Sequence, residues 1–255
     1  MELWTREHAV TLLPALALMI VIAAVLRITI GKREMKIRMI PFQVLACILF
    51  VIELGKQAVS FSRGYDLYHL PFHFCSLFIF ALPVMAFYKG RHLPMVKTVT
   101  ASLCAAMSLL LFIYPCLIYS AGDITAYFSE YMSFHTVTFH NIVVFAFVLI
   151  VALDLHTPAP KGEQKTVIWF TVAFCAVSAT MAQLLKTNYA NYYSCNIPPL
   201  ETIRLAVRNA VGAVPAQLLY ILIVSLLNIL FVWGSYWLYR LLQKILTKEN
   251  LKVSG

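Results

Sequence analysis

AVTLLPALALMIVIAAVLRITI, residues 9–30, carries a single charged side chain, Arg27, and GKREMKIR follows directly at 31–38. A hydrocarbon core about 30 Å thick is crossed by about 20 apolar residues in a helix, so the stretch predicts a membrane span. Glu2, Arg6 and Glu7 precede it and the basic cluster follows it. That order is the reverse of a secretory leader, and the span is expected to be retained.

Working outward, stretches of the same kind recur at roughly 39–60, 70–88, 97–119, 135–154, 166–185 and 215–239. Together with the first they predict seven spans. Hydrophobic residues make up 61% of the 255 and charged residues 12%, and the mean hydropathy is +0.81. This is the composition of a polytopic membrane protein, not of a water-soluble domain. The apolar runs are continuous and do not alternate, which excludes a β-barrel. The expected fold is all-α, a transmembrane helical bundle forming a single integral membrane domain over 1–255, since no repeat or low-complexity tract divides the chain.

A net charge of +9 raises nucleic acid as a partner, but the placement of the basic residues argues against it. With the N-terminus outside, the inner connections hold Arg27, Lys32, Arg33, Lys36 and Arg38, then Lys89, Arg91 and Lys97, then Lys161 and Lys165, then Arg240, Lys244, Lys248 and Lys252. The outer side holds only Arg6, Arg63, Lys186, Arg204 and Arg208, while Lys56 falls within a span. An excess of Lys and Arg on one side orients the chain N-out and C-in. Tyr and Trp cluster at span ends as interfacial belts.

Six cysteines, Cys47, Cys75, Cys104, Cys116, Cys175 and Cys195, show no CxxC spacing, and no disulfide framework is expected. Cys116 and Cys195 alone lie near the outer face. The outer segment from about Lys186 to Val214 reads as the longest non-helical stretch, with a short interfacial turn or two at 202–211 and a position suited to a lid.

Under this topology, polar residues collect at one depth. Glu53, Lys56 and Gln57 fall in the outer third of the second span, and His73, Cys75 and Ser76 in the first turns of the third. His135, Thr136, His140 and Asn141 fall in the outer half of the fifth, and Gln183, Asn188 and Tyr189 at the end of the sixth and just beyond it. An ionisable group in hydrocarbon is costly unless paired or hydrated, so a cluster of them marks a functional cavity. Glu53 is i, i+3 to Lys56 and i, i+4 to Gln57, a spacing that pairs acid with base. His73 shares a helical face with Ser76 but lies about 200° from Cys75, unless Pro71 unwinds the first turn. His140 is expected to be the deeper histidine of the fifth span, with His135 pointing elsewhere at the water interface.

LPFHFCSLFIF at 70–80, preceded by Glu53, Lys56 and Gln57 and followed by SFHTVTFHN at 133–141 and TNY at 187–189, resembles the YwaF-type family of bacterial integral membrane proteins. That family is in turn similar to a eukaryotic multi-pass family that includes an acyltransferase of ether phospholipids. The resemblance implies a bacterial plasma membrane and a cysteine nucleophile beside the histidine of the third-span motif. In the eukaryotic motif the cysteine directly precedes the histidine, where this chain has Phe72, so the nucleophile's work would pass to Cys75.

The chemistry fits such a reaction. A thiol attacks as thiolate, which needs a nearby base or cation. His140 or His73 would take the proton, and Asn188, Gln183 or a backbone amide would receive the oxyanion. Ser76 beside His73 is the hydroxyl alternative, and Glu53, Lys56, Gln57, Asn141 and Tyr189 complete the expected binding residues. The expected partner is a membrane lipid, whose ester lies at this depth. No cofactor is implied; His73, Cys75, His140 and Glu53 are possible zinc ligands by type but lack a short-range ligand pair. Transport or small-ligand binding without covalent chemistry is the competing class, though matched broken helices are not evident. No phosphate loop or GxSxG elbow appears.

Overall fold

The computed structural model describes residues 3–156 and 162–253, with side chains up to residue 245; Lys161 and the side chains of Lys248 and Lys252 lie outside the described residues. The described residues form α1 (Arg6–Ile30), α2 (Met35–Arg38), α3 (Ile40–Ser62), α4 (Phe78–Phe87), α5 (Leu93–Ile113), α6 (Ala121–Thr125), α7 (Tyr131–Ala152), α8 (Glu163–Leu185), α9 (Pro198–Val211) and α10 (Ala213–Val253). Local chemistry sets the ends. The Thr5 hydroxyl caps α1, and proline stands in the first turn of α3, α5 and α9, where its missing N–H costs nothing. Gly212 at φ 92° separates α9 from α10.

Six helical segments are long and apolar enough to cross a membrane: α1, the α2–α3 pair, α5, α7, α8 and α10. The predicted third span departs from expectation. Its helix runs only over Cys75–Phe87, opening with a tight 3-10 turn at Cys75–Leu77. Thirteen residues at 1.5 Å each reach about 20 Å, short of a hydrocarbon core. Residues 70–74 are not helical, because Pro71 has no N–H to donate and outside groups claim the nearby carbonyls. The Ser178 hydroxyl donates to the Phe72 carbonyl at 2.5 Å, and Gln57 Nε2 donates to that of His69 at 3.2 Å. The second departure is α9, a full 14-residue helix in the segment expected to be mostly irregular.

Contacts between chain-distant residues show that the elements alternate in direction. At one end the His8 ring bonds the Tyr119 carbonyl, Glu53 bonds His135, and Gln217 bonds the Tyr192 carbonyl. At the other end Arg27 meets the end of α7, Gln43 meets Ala86 at the end of α4, and Tyr239 meets His156. The short α4 therefore runs opposite to α3 and α5. α5 sits at the centre, every side chain from Thr98 to Ser108 being buried. Its small residues Ala101, Ser102, Ala105 and Ala106 let α4, α7, α8 and α10 pack closely on it. α1 and α10 turn apolar faces outward, with Ile28, Val21, Leu222 and Leu226 exposed, as helices that meet lipid do.

The end opposite the cavity is held by the basic residues that the sequence presents only as an orientation signal. Arg27, Arg38 and Lys97 donate to the carbonyls of Ala152, Leu153 and Leu155 at 2.7, 2.8 and 2.9 Å, closing the C-terminal end of α7. Beside them Thr98 Oγ1 lies 2.6 Å from His156 Nε2 and 2.7 Å from Glu163 Oε2. Thr98→Val keeps the shape and removes these contacts to the buried His156 and Glu163, together with the one to the Pro94 carbonyl at 3.1 Å. It is expected to lower stability by about 1–3 kcal/mol, read as a fall in the thermal unfolding midpoint. An unchanged midpoint would mean that water replaces the hydroxyl.

Candidate functional site

α3 is amphipathic only near its end, and there it presents Glu53, Lys56 and Gln57 on one face. Glu53 is 4% exposed. Its Oε1 accepts from Lys56 Nζ at 2.6 Å and from Gln57 Nε2 at 2.8 Å, the predicted i, i+3 and i, i+4 partners. Its Oε2 accepts from His135 Nε2 of α7 at 2.9 Å. Tyr65 donates in turn to Gln57 Oε1 at 2.9 Å. A buried carboxylate with three charge-assisted or polar donors is satisfied, and the residual charge of the pair is small.

His135 therefore corrects the sequence reading. It is 6% exposed and tied to Glu53, not turned to the water interface. Met132, His135, Thr136, Phe139 and His140 all line one cavity. Their spacing is i, i+3, i+4, i+7 and i+8, a single broad helical stripe, and that pattern in MSFHTVTFHN at 132–141 is the signal by which the sequence carries it.

The cavity has a volume of about 300 Å³. Of the expected site residues it is lined by Glu53, Lys56, His73, Cys75, Ser76, His140 and Asn188. Gln57 stands behind Glu53. Asn141, Gln183 and Tyr189 are not on its wall: Asn141 donates to the Val137 carbonyl on its own helix, Gln183 to the Tyr192 carbonyl, and Tyr189 to the Leu67 carbonyl. Asn188 bonds Asn196 at 2.9 Å and accepts the amides of Tyr193 and Ser194, so it shapes the outer loop. Tyr68, His69, Ala190, Asn191 and Asn196 also form the wall, and the sequence reading does not single them out. Ala190 and Asn191 have φ of 46° and 63°. The left-handed conformation is ordinary for Asn but costs alanine about 1 kcal/mol, and nothing in the sequence marks it.

Each of the three histidines His73, His135 and His140 has one ring nitrogen committed. A carbonyl can only accept, so His140 Nδ1 donates to the Thr136 carbonyl at 2.6 Å and His73 Nε2 to that of Tyr68 at 3.1 Å. His135 Nε2 donates to Glu53. The opposite nitrogen of each neutral ring, Nε2 of His140 and Nδ1 of His73 and His135, then carries a lone pair. Lys56 lines the same cavity as Cys75, His73, His135 and His140. The cavity thus holds histidine bases, one Lys56–Glu53 ion pair and, at Cys75 and Ser76, two potential nucleophiles. Among the described residues no hydrogen bond joins Cys75 to a histidine, all six cysteines are free, and no group of three or more His, Cys, Asp or Glu is disposed around a metal position.

No curated protein and no solved structure matches the chain. The sequence model of the TMEM164 family, a multi-pass membrane family, matches residues 3–236. That match covers α1 through most of α10 and every residue of the cavity wall, and the chain belongs to the TMEM164 family.

Proposed function

We propose that this protein is a membrane acyl hydrolase or acyltransferase acting on lipid esters of the outer leaflet of a cell membrane. In this reading α4 with its extended lead-in completes a seventh passage, and the chain runs N-out and C-in. The basic ends at Arg27, Arg38 and Lys97 then face inward as the charge rule requires, and the cavity opens outward. The YwaF-type and acyltransferase resemblances of the 70–80 and 133–141 motifs agree with this chemistry and with a bacterial plasma membrane.

The observation that carries the reading is the carboxylate-held histidine in the same cavity as a cysteine: Glu53 Oε2 fixes His135 at 2.9 Å, and Cys75 lines the cavity that His135 lines. The Cys75 thiol gives its proton to a histidine lone pair, and its sulfur bonds the ester carbonyl carbon. Lys56, held by Glu53 at 2.6 Å, has further N–H donors to offer a developing oxyanion. Collapse of the tetrahedral intermediate expels the lipid alkoxide, which takes the proton back and leaves a thioester on Cys75. Water then yields a fatty acid, or a second lipid hydroxyl yields a new ester. Ser76 is the competing nucleophile.

The test is labelling of the full chain in lipid with an acyl-directed electrophile, with the modified residue mapped by mass spectrometry. Labelling is expected at Cys75 and is expected to fall by about 10²-fold or more in His140→Ala or His135→Ala. Modification of Ser76 alone would move the nucleophile by one residue. Labelling of Cys75 no faster than Cys47 would sink the enzyme reading. Small-ligand binding or transport through the same Glu/Lys/His cavity would then take its place, a second reading favoured by the missing Cys75–histidine bond.

A further inference from the structure

Next to the polar cavity lies a second, larger one of about 710 Å³, running between α9 and α10. The two share Phe74, Leu110, Leu117, Ala190 and Asn191 in their linings, so they adjoin along one common border. α9 contributes Leu200, Ile203 and Val207, spaced i, i+3 and i+7, and α10 contributes Leu219, Ile223 and Leu227, spaced i, i+4 and i+8. Two helices thus turn one apolar stripe each toward a common groove. From Ala216 to Phe231 the α10 wall rises about 22 Å, more than the roughly 15 Å depth of one leaflet's hydrocarbon.

The charges along this groove are already neutralised. Arg204 at its edge is bound to both oxygens of Glu201, at 2.6 and 2.7 Å, and to Gln217 at 3.0 Å. The Arg204 bond holds the Glu201 carboxyl below its ordinary pKa, so the pair stays formed at neutral pH. The groove therefore presents hydrocarbon and no uncompensated charge to its occupant. Its walls also open sideways: Ile203 is 60% and Leu227 61% exposed. A ligand filling both compartments has a polar, ester-bearing end among Lys56, His73 and Cys75 and a long apolar tail lying along α10.

We propose that the α9–α10 groove binds one acyl chain of the membrane lipid whose ester enters the polar cavity, the lipid moving in sideways from the bilayer. The occupant is a long-chain glycerolipid. Its assignment as substrate rests on the acyl-transfer reading, whereas chain binding itself does not.

The experiment uses the full chain in phosphatidylcholine nanodiscs doped with phosphatidylcholine carrying a photoreactive diazirine at the end of one acyl chain. After irradiation the crosslinked residues are mapped by mass spectrometry, in the native sequence and in Ile223→Trp, which fills the groove. Crosslinks are expected at Ile203, Ile223 and Leu227 several-fold above those at Ile28 and Val21, lipid-facing residues of α1, and Ile223→Trp is expected to remove that excess. Equal labelling of α1 and the groove would mean ordinary surrounding lipid and would overturn the proposal. So would an excess that survives Ile223→Trp. If that variant does not fold, Leu227→Phe, a smaller filling, replaces it. Groove labelling without acylation of Cys75 or Ser76 sinks the enzyme reading and leaves the groove standing; acylation with even labelling does the opposite.

Discussion

Glu53→Leu is expected to lower stability by about 3–5 kcal/mol, the cost of leaving a desolvated charge without its partner. Lys56 would lose the carboxylate 2.6 Å away, with only 14% of its side chain exposed, and His135 and Gln57 would each lose an acceptor. The double variant Glu53→Leu, Lys56→Leu removes both charges and is expected to recover most of the loss, since an apolar pair often replaces a buried ion pair at little cost. Thermal unfolding of the two variants beside the native chain checks this. A single variant as stable as the native chain would show that the cavity is wet enough to solvate Lys56 alone. Glu53→Gln keeps the hydrogen-bonding shape but also leaves the Lys56 ammonium without its counter-charge, so its unfolding midpoint is read beside its labelling. An amide no longer fixes which His135 nitrogen carries the proton, and labelling of Cys75 is expected to fall by about 10²–10⁴-fold.

That network is partly legible in the amino-acid sequence. Glu53, Lys56 and Gln57 pair at their helical spacings, because i, i+3 and i+4 contacts are local and depend on one helix alone. The long helices are legible for a similar reason: burial in hydrocarbon demands apolar runs of fixed length, and six of them form helices long enough to cross. His135 is misplaced when Thr136 is grouped with His140 alone, because 132, 135, 136, 139 and 140 share one broad face. Asn141 and Gln183 look like site residues by type and depth, yet each satisfies a nearby carbonyl. α9 is hard to read as a helix because its charged face masks an apolar one that only α10 completes. The lead-in to α4 is the least legible part. LPFHFCSLFIF is apolar enough for a helix throughout, and what unwinds its first turns is donated from residues far along the chain.

Those distant donors make the second large prediction. Tyr189 is fully buried and its hydroxyl donates to the Leu67 carbonyl, while Ser178, equally buried, donates to that of Phe72. Neither side chain lies on the cavity wall. Ser178→Ala leaves the Phe72 carbonyl without its partner and is expected to cost about 1–3 kcal/mol, whereas Tyr189→Phe removes one of two donors to the Leu67 carbonyl, which keeps the Leu70 amide at 3.0 Å, and is expected to cost less. The larger effect is expected on chemistry. Residues 67–74 hold His73 and lead directly into Cys75, so a released Phe72 carbonyl frees this segment to draw back toward the helix that its sequence favours. In an ideal helix His73 and Cys75 diverge by about 200°, and even a shift of about 1 Å at a reacting atom costs about 10²-fold. The double variant is therefore expected to fold, with a lowered unfolding midpoint, and to lose Cys75 labelling by at least about that factor. Ser235→Ala is the matched control: it removes an equally buried hydroxyl whose bond runs to Phe231 within α10, far from the lead-in. If Ser235→Ala reduces labelling as much as the double variant does, the unwound turn is packing and not the device that brings Cys75 to the cavity.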